Sequence, residues 1–249
     1  MTASDDHSPS LPGILSLFTE TLSLLRKNAS VYFGYASWLL FPILLSVFLR
    51  SILDADRFLI ANGLVQIFLY GVLVLYLTIL FIVITPPLRA KTRIPETLHA
   101  RIASVGIPYI LTSFLVSIIV IPSFILVIPG FLFLVWLAFA GHRVVLSHDE
   151  IIPALKASKA LVHGRYFAVF WRFIVGMMLI FFLYALLAIA LLAIPAVLGI
   201  TSFNEIFEAT ELTALEDTLI SLLEILSLPV FTVYTTLLYL HLQETMKIK

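Results

Sequence analysis

Apolar positions in this chain come in runs too long and too unbroken for one face of a surface helix. A helix crossing a bilayer core takes about 20 largely apolar residues. Six stretches are read as such spans, near 32–53, 60–85, 107–122, 130–146, 167–194 and 219–241. None shows the period-two alternation of a membrane barrel strand. The expected fold is therefore all-α, a polytopic bundle of six transmembrane helices. The third and fourth spans must be divided by IPSFILVIPG (121–130). There Pro122 and Pro129 each remove a helix donor, and Gly130 permits a tight reversal.

Polar positions break this pattern in three places, and each predicts a short amphipathic helix. The clearest is SHDEIIPALKASKALVHGRY (147–166). Pro153 suits a first helical turn, and Asp149 and Glu150 favour the positive end of the helix dipole. Ile151, Leu155, Ser158, Leu161 and Val162 share one face, while Lys156, Lys159 and His163 share the other. Gly164 suits a left-handed cap. The predicted helix covers 153–163. RIPETLHARIASVG (93–106) has the same spacing from Pro95 to Gly106 and predicts a helix near 95–105. LPGILSLFTETLSLLRKN (11–28) predicts one near 12–28, with Leu15, Phe18, Leu22 and Leu25 along one face and Asn28 at its end. Three repeats of an interfacial helix followed by a helical hairpin are one reading. The plainer reading is that any basic loop between spans looks amphipathic.

Composition supports the class. Of 249 residues, 61% are hydrophobic and 12% charged, with mean hydropathy +1.10, whereas soluble domains are about half apolar and a quarter charged. Residues 11–249 are expected to form a single integral membrane domain behind a disordered tail, 1–10, that lacks the features of a cleavable signal. Zero net charge leaves no cationic excess for nucleic acid. With no cysteine, thiolate chemistry is excluded.

Charge placement adds orientation. With six spans, 13 of the 15 Lys and Arg residues fall on the side of the termini, and only Arg50 and Arg57 on the other. Asp54, Asp56 and Glu224 lie on that other side. Basic residues are retained in the cytoplasm, so both termini are expected there, in the cell membrane. The partner so implied is the bilayer itself, anionic lipids included, with Lys156, Lys159 and Arg165 as candidate headgroup contacts.

IPGFLFLVWLAFAGHRVVLSHDEIIPALKASKALVHGRYFAVF (128–170) resembles the signature region of the prokaryotic glycerophosphodiester phosphodiesterase membrane-domain superfamily. The residues that carry the likeness are Pro129-Gly130, Ala154-Leu155-Lys156-Ala157-Ser158 and Leu161-Val162-His163-Gly164-Arg165. The resemblance implies a six-helix membrane protein in which Pro129, Gly130, Pro153, Ser158 and Gly164 are structural. Family members often carry glutamate at the end of span four, where this chain has Ser147; Asp149 or Glu150 can substitute, or that role is absent. Some members are fused to a soluble phosphodiesterase; no such domain is present here, so the resemblance implies no such activity.

Candidate chemistry is sparse. His148, Asp149 and Glu150 are consecutive, about 100° apart on a helix, and converge poorly on one metal ion. The chain has no HExxH, GxSxG, P-loop or GxGxxG pattern, so neither catalysis nor a cofactor is expected. His142, Arg143 and His241 sit at cytoplasmic span ends, where a snorkelling role is expected. Arg50 and Glu224 lie at similar depth near the other side. Either they pair and fix span one against span six, or each reaches the headgroups alone. The function expected is non-enzymatic organisation of lipid or of a membrane partner. The alternative is a transporter of a small or amphipathic molecule, which Asn62, Gln66, Ser113 or Ser117 would serve by lining a wet cavity.

Overall fold

The computed structural model describes residues 11–197 and 214–247. The expected tail at 1–10 lies outside them. Among the described residues the chain is helical and has no strand. The helices are α1 (Ile14–Lys27), α2 (Ala29–Ala36), α3 (Leu40–Ile52), α4 (Ala55–Leu64), α5 (Gly71–Arg89), α6 (Leu98–Ser123), α7 (Ile128–Leu137), α8 (Ala140–Ser147), α9 (Ile151–Val162), α10 (Tyr166–Val197) and α11 (Ala214–Lys247). A 3-10 turn, Ser37–Leu39, joins α2 to α3, and a π-helical segment, Val65–Tyr70, joins α4 to α5. Among the described residues, six stretches are long and apolar enough to cross a membrane: Ala29–Ile52, Ala55–Arg89, Leu98–Leu126, Ile128–Ser147, Tyr166–Leu191 and Ile225–Met246. The protein is thus an all-α, multi-pass membrane protein.

Two compact units share these helices. The first takes Met1–Lys27, Ile79–Gly176 and Thr232–Lys249, and the second takes Asn28–Thr78 and Met177–Phe231.

In the first unit, α6 packs on α7, α8 and α9, and α9 packs on α7 and α8. The helix expected at 95–105 is not separate from its span, because α6 runs on through Gly106 and Pro108 to Ser123. Its amphipathic pattern is real, with Leu98, Ile102 and Val105 buried at helical spacing. Space around Gly106 is open, so nothing forces the chain to turn there. The reversal before span four falls within 121–130 as expected, but not at Gly130. It falls at Val127, with φ 47°, a left-handed conformation that a β-branched residue rarely adopts. Gly130 serves closeness instead: a Cβ there would lie 2.7 Å from the Phe124 ring. Pro129 sits in the first turn of α7, as its missing donor allows.

The face that α1 buries is rotated from the expected one. Leu17, Thr21, Leu24 and Leu25 are buried, whereas Leu15 is 72% exposed. Asn28 bends the chain at φ −120° and is not a left-handed cap.

The second unit holds the two irregular segments. The π segment packs against α3. Arg50 is exposed at the end of α3; the Glu224 side chain lies outside the described residues, and with it the choice between a pair and separate headgroup contacts.

Candidate functional site

The polar chemistry of the first unit gathers at the helix ends that carry the basic residues. It begins with α9. Pro153 occupies the first turn, where no helical partner is lost. Ala154, Ser158, Leu161 and Val162 are buried, while Lys156, Lys159 and His163 are exposed. Gly164 has φ 76°, the left-handed conformation that glycine adopts without strain, and Arg165 N donates to the Val162 carbonyl at 3.0 Å. The chain thereby turns from α9 straight into α10.

Ser158 explains how α9 is seated. Span four breaks between α7 and α8, which leaves a carbonyl and an N–H without helical partners. The Ser158 hydroxyl donates to the Trp136 carbonyl at 2.7 Å and accepts from the Phe139 N–H at 3.2 Å. One buried side chain thus satisfies both sides of the break. Ser158→Ala is expected to lose about 1–2 kcal/mol, the cost of orphaning buried polar groups partly relieved by rearrangement. Thermal unfolding in detergent checks this, and an unchanged melting temperature would contradict the bridging role.

Five arginines then act as clamps. Arg143 holds Asp149 through Nη2 at 2.6 Å and Nε at 2.7 Å. Arg101 Nη2 reaches the Val145 and Leu146 carbonyls at 3.2 and 3.4 Å, where the end of α8 carries partial negative charge. Arg165 donates to the hydroxyl and, at 3.3 Å, to the carbonyl of Thr245. Arg172 donates to the carbonyls of Pro12 at 2.7 Å and Leu11 at 2.9 Å, which ties the segment before α1 to α10.

Arg89 is the most connected. Its Nε lies 3.0 Å from Glu20 Oε1 and its Nη1 2.6 Å from Glu244 Oε1. His241 Nε2 lies 2.8 Å from Glu20 Oε2, and its Nδ1 lies 3.4 Å from Glu244 Oε2. Surface helix α1, the end of α5 and the end of α11 meet in this network. Such planar, forked contacts suit guanidinium and not ammonium.

His142 is buried and is not a snorkelling group. Its Nε2 lies 3.3 Å from Thr236 Oγ1, and its ring stacks on Tyr239 at 5.4 Å. Tyr239 Oη accepts from Gln243 Nε2 at 2.5 Å and lies 3.4 Å from Ser147 Oγ.

Among the described residues, the other cations of this unit point outward. Arg26, Lys27, Lys91, Arg93, Lys156 and Lys159 are all exposed. The Lys159 Nζ lies 4.4 Å over the Trp136 ring, a cation–π contact that holds the ammonium at this exposed face. Of the three candidate headgroup contacts, Lys156 and Lys159 are therefore presented to the surroundings, whereas Arg165 is turned onto Thr245. The consecutive His148, Asp149 and Glu150 diverge: His148 adopts a left-handed conformation, Asp149 binds Arg143 and Glu150 is exposed.

Sequence reasoning missed the Arg89 network. Its four residues are scattered over 225 positions, and the one available signal was Glu20, a lone acid inside an otherwise apolar and basic helix. Of the polar span residues expected of a transporter, Ser117 is locally bonded and Gln66 faces outward, while Asn62 does neither. Ser117 donates to the Ser113 carbonyl at 2.9 Å and Thr78 to the Val74 carbonyl at 2.7 Å, and Gln66 is exposed. The Asn62 amide oxygen is buried without a hydrogen-bond partner.

No family model, curated protein or solved structure matches the chain.

Proposed function

We propose that this protein is a non-enzymatic, multi-pass protein of the cell membrane that gathers anionic lipid at a basic cytoplasmic end. The observation that carries the reading is the division of its cations. Half-buried arginines meet protein carbonyls and carboxylates, while Lys156 and Lys159 stand on the outward face of a helix whose opposite face is buried. Cations so placed attract anionic headgroups. The excess of basic residues on one side of the spans supports a cytoplasmic position for that end and for both termini. The likeness of 128–170 to the glycerophosphodiester phosphodiesterase membrane-domain superfamily supports a membrane role.

The test is charge reversal in reconstituted vesicles of mixed phosphatidylcholine and phosphatidylglycerol. Each charge near such a surface is worth about 1 kcal/mol. Lys156→Glu with Lys159→Glu should therefore lower the enrichment of phosphatidylglycerol around the protein by an order of magnitude or more, with the melting temperature retained. Lys156→Glu alone, which spares the Trp136 contact, should give a smaller fall of the same sign. Equal enrichment in all three proteins would refute the reading.

A second reading, passage of an amphipathic molecule, has one support, an apolar cavity in the second unit. Asn62, Gln66, Ser113 and Ser117 do not line it.

A further inference from the structure

The second unit contains a cavity of about 480 Å³, within the range of about 300–1,000 Å³ common for ligand sites. We propose that it holds one acyl chain of a membrane phospholipid. The site is distinct from the basic face of the first unit, and its chemistry is hydrocarbon and not charge.

Its walls belong to membrane-crossing stretches, and Leu39, Val74, Met177, Ile180 and Leu228 supply half of the lining residues. Tyr70, Tyr184 and Ser227 also border it, and each already has an interaction of its own. A buried water needs two to four polar partners, and this lining is a poor source of them. Left empty, the cavity would deprive its walls of dispersion contacts. Phe181 lines the cavity and is 71% exposed, so the space is continuous with the surface that faces the bilayer. Hydrocarbon from that bilayer is both the nearest occupant and the best matched.

The backbone shows why the space stays open. Leu39 closes the 3-10 turn and Tyr70 closes the π segment, and both residues line the cavity. Each irregular turn shifts the side-chain rows that would otherwise interlock ridge into groove. A second hollow, of about 590 Å³, lies along the same two segments and is bordered by Trp38 and Leu69. Loosened packing on this seam follows from the fold of the two segments and not from one undersized side chain.

The experiment uses the full chain in vesicles of dioleoyl phosphatidylcholine doped with phosphatidylcholine carrying a diazirine at the end of one acyl chain. This probe is zwitterionic, so the result does not depend on the headgroup reading; each can fail alone. After transfer to probe-free lipid and photolysis, adducts should persist at Ile180, which is 7% exposed. They should be lost at Phe48, which is 58% exposed and does not line the cavity. Val74→Trp and Met177→Trp, on different helices, should each cut Ile180 labelling about ten-fold. Loss of the Ile180 adduct together with that of Phe48 in the unmodified protein would overturn the proposal, whether or not either variant folds. Undiminished Ile180 labelling in a folded tryptophan variant would overturn it too.

Discussion

Gly176→Ala is expected to destabilise the first unit by about 1–3 kcal/mol, the usual cost of forcing a group into a filled site. Tyr234 is fully buried, and its hydroxyl donates to the Arg172 carbonyl at 2.6 Å. In an α-helix that carbonyl also accepts from the residue four positions on, which is Gly176. The phenol therefore arrives where a side chain at 176 would stand, and an added Cβ would fall on its Cζ and Oη. Arg172 is itself the clamp on Leu11 and Pro12, so a shift of α10 there also disturbs the anchoring of the segment before α1. Thermal unfolding in detergent reads the loss. Tyr234→Leu in the Gly176→Ala background should recover part of it, and Tyr234→Phe, which keeps the ring, should not. Additive losses for Gly176→Ala and Tyr234→Leu would show that the two residues do not compete for the same space.

The spans were legible because a bilayer demands long apolar runs, and such runs leave little room for another reading. The turn at Gly164 was legible because a glycine after an amphipathic run has few other uses. Gly106 carried the same signal and meant nothing, since a glycine with open space around it is tolerated in a helix. What sequence handled worst was direction. Along α1, Leu15 and Leu22 were read along the apolar face of an interfacial helix, yet Leu17, Thr21 and Leu24 are the residues buried against protein. In water the exposed leucines would argue against that packing; beside lipid they cost little, because acyl chains are as apolar as the interior. A helix with two apolar stripes therefore does not say which one faces protein. The same limit applies to the basic residues. Their position along the chain placed them at one end of the spans, but only tertiary contacts separate Arg165, folded onto Thr245, from Lys156, which faces outward. His241 looked like an isolated residue at a span end because its partner Glu20 lies on α1 and had to be recognised in three dimensions, although Glu244 stands only three residues further along its own helix.

That network yields the other large effect. Arg89→Gln is expected to lose about 1–3 kcal/mol. This lies above the value of an exposed pair and below the cost of breaking a fully buried one, since the Arg89 side chain is 25% exposed and Glu20 is 32% exposed. Without the guanidinium, Glu20 and Glu244 remain close to one another with only His241 between them. Arg89→Lys should restore less than half of the loss, because one ammonium cannot reproduce separate contacts from Nε to Glu20 and from Nη1 to Glu244. Glu20→Gln should cost less alone, and the double variant should be more stable than the sum of the single losses predicts. The loss should also be local. Amide exchange in α1 should accelerate more than exchange in α6, because Glu20 is the link from α1 to the network while α6 is held by Arg101 and by its own packing. Strictly additive losses, or equal acceleration in both helices, would mean that the network follows the docking of α1 and does not cause it.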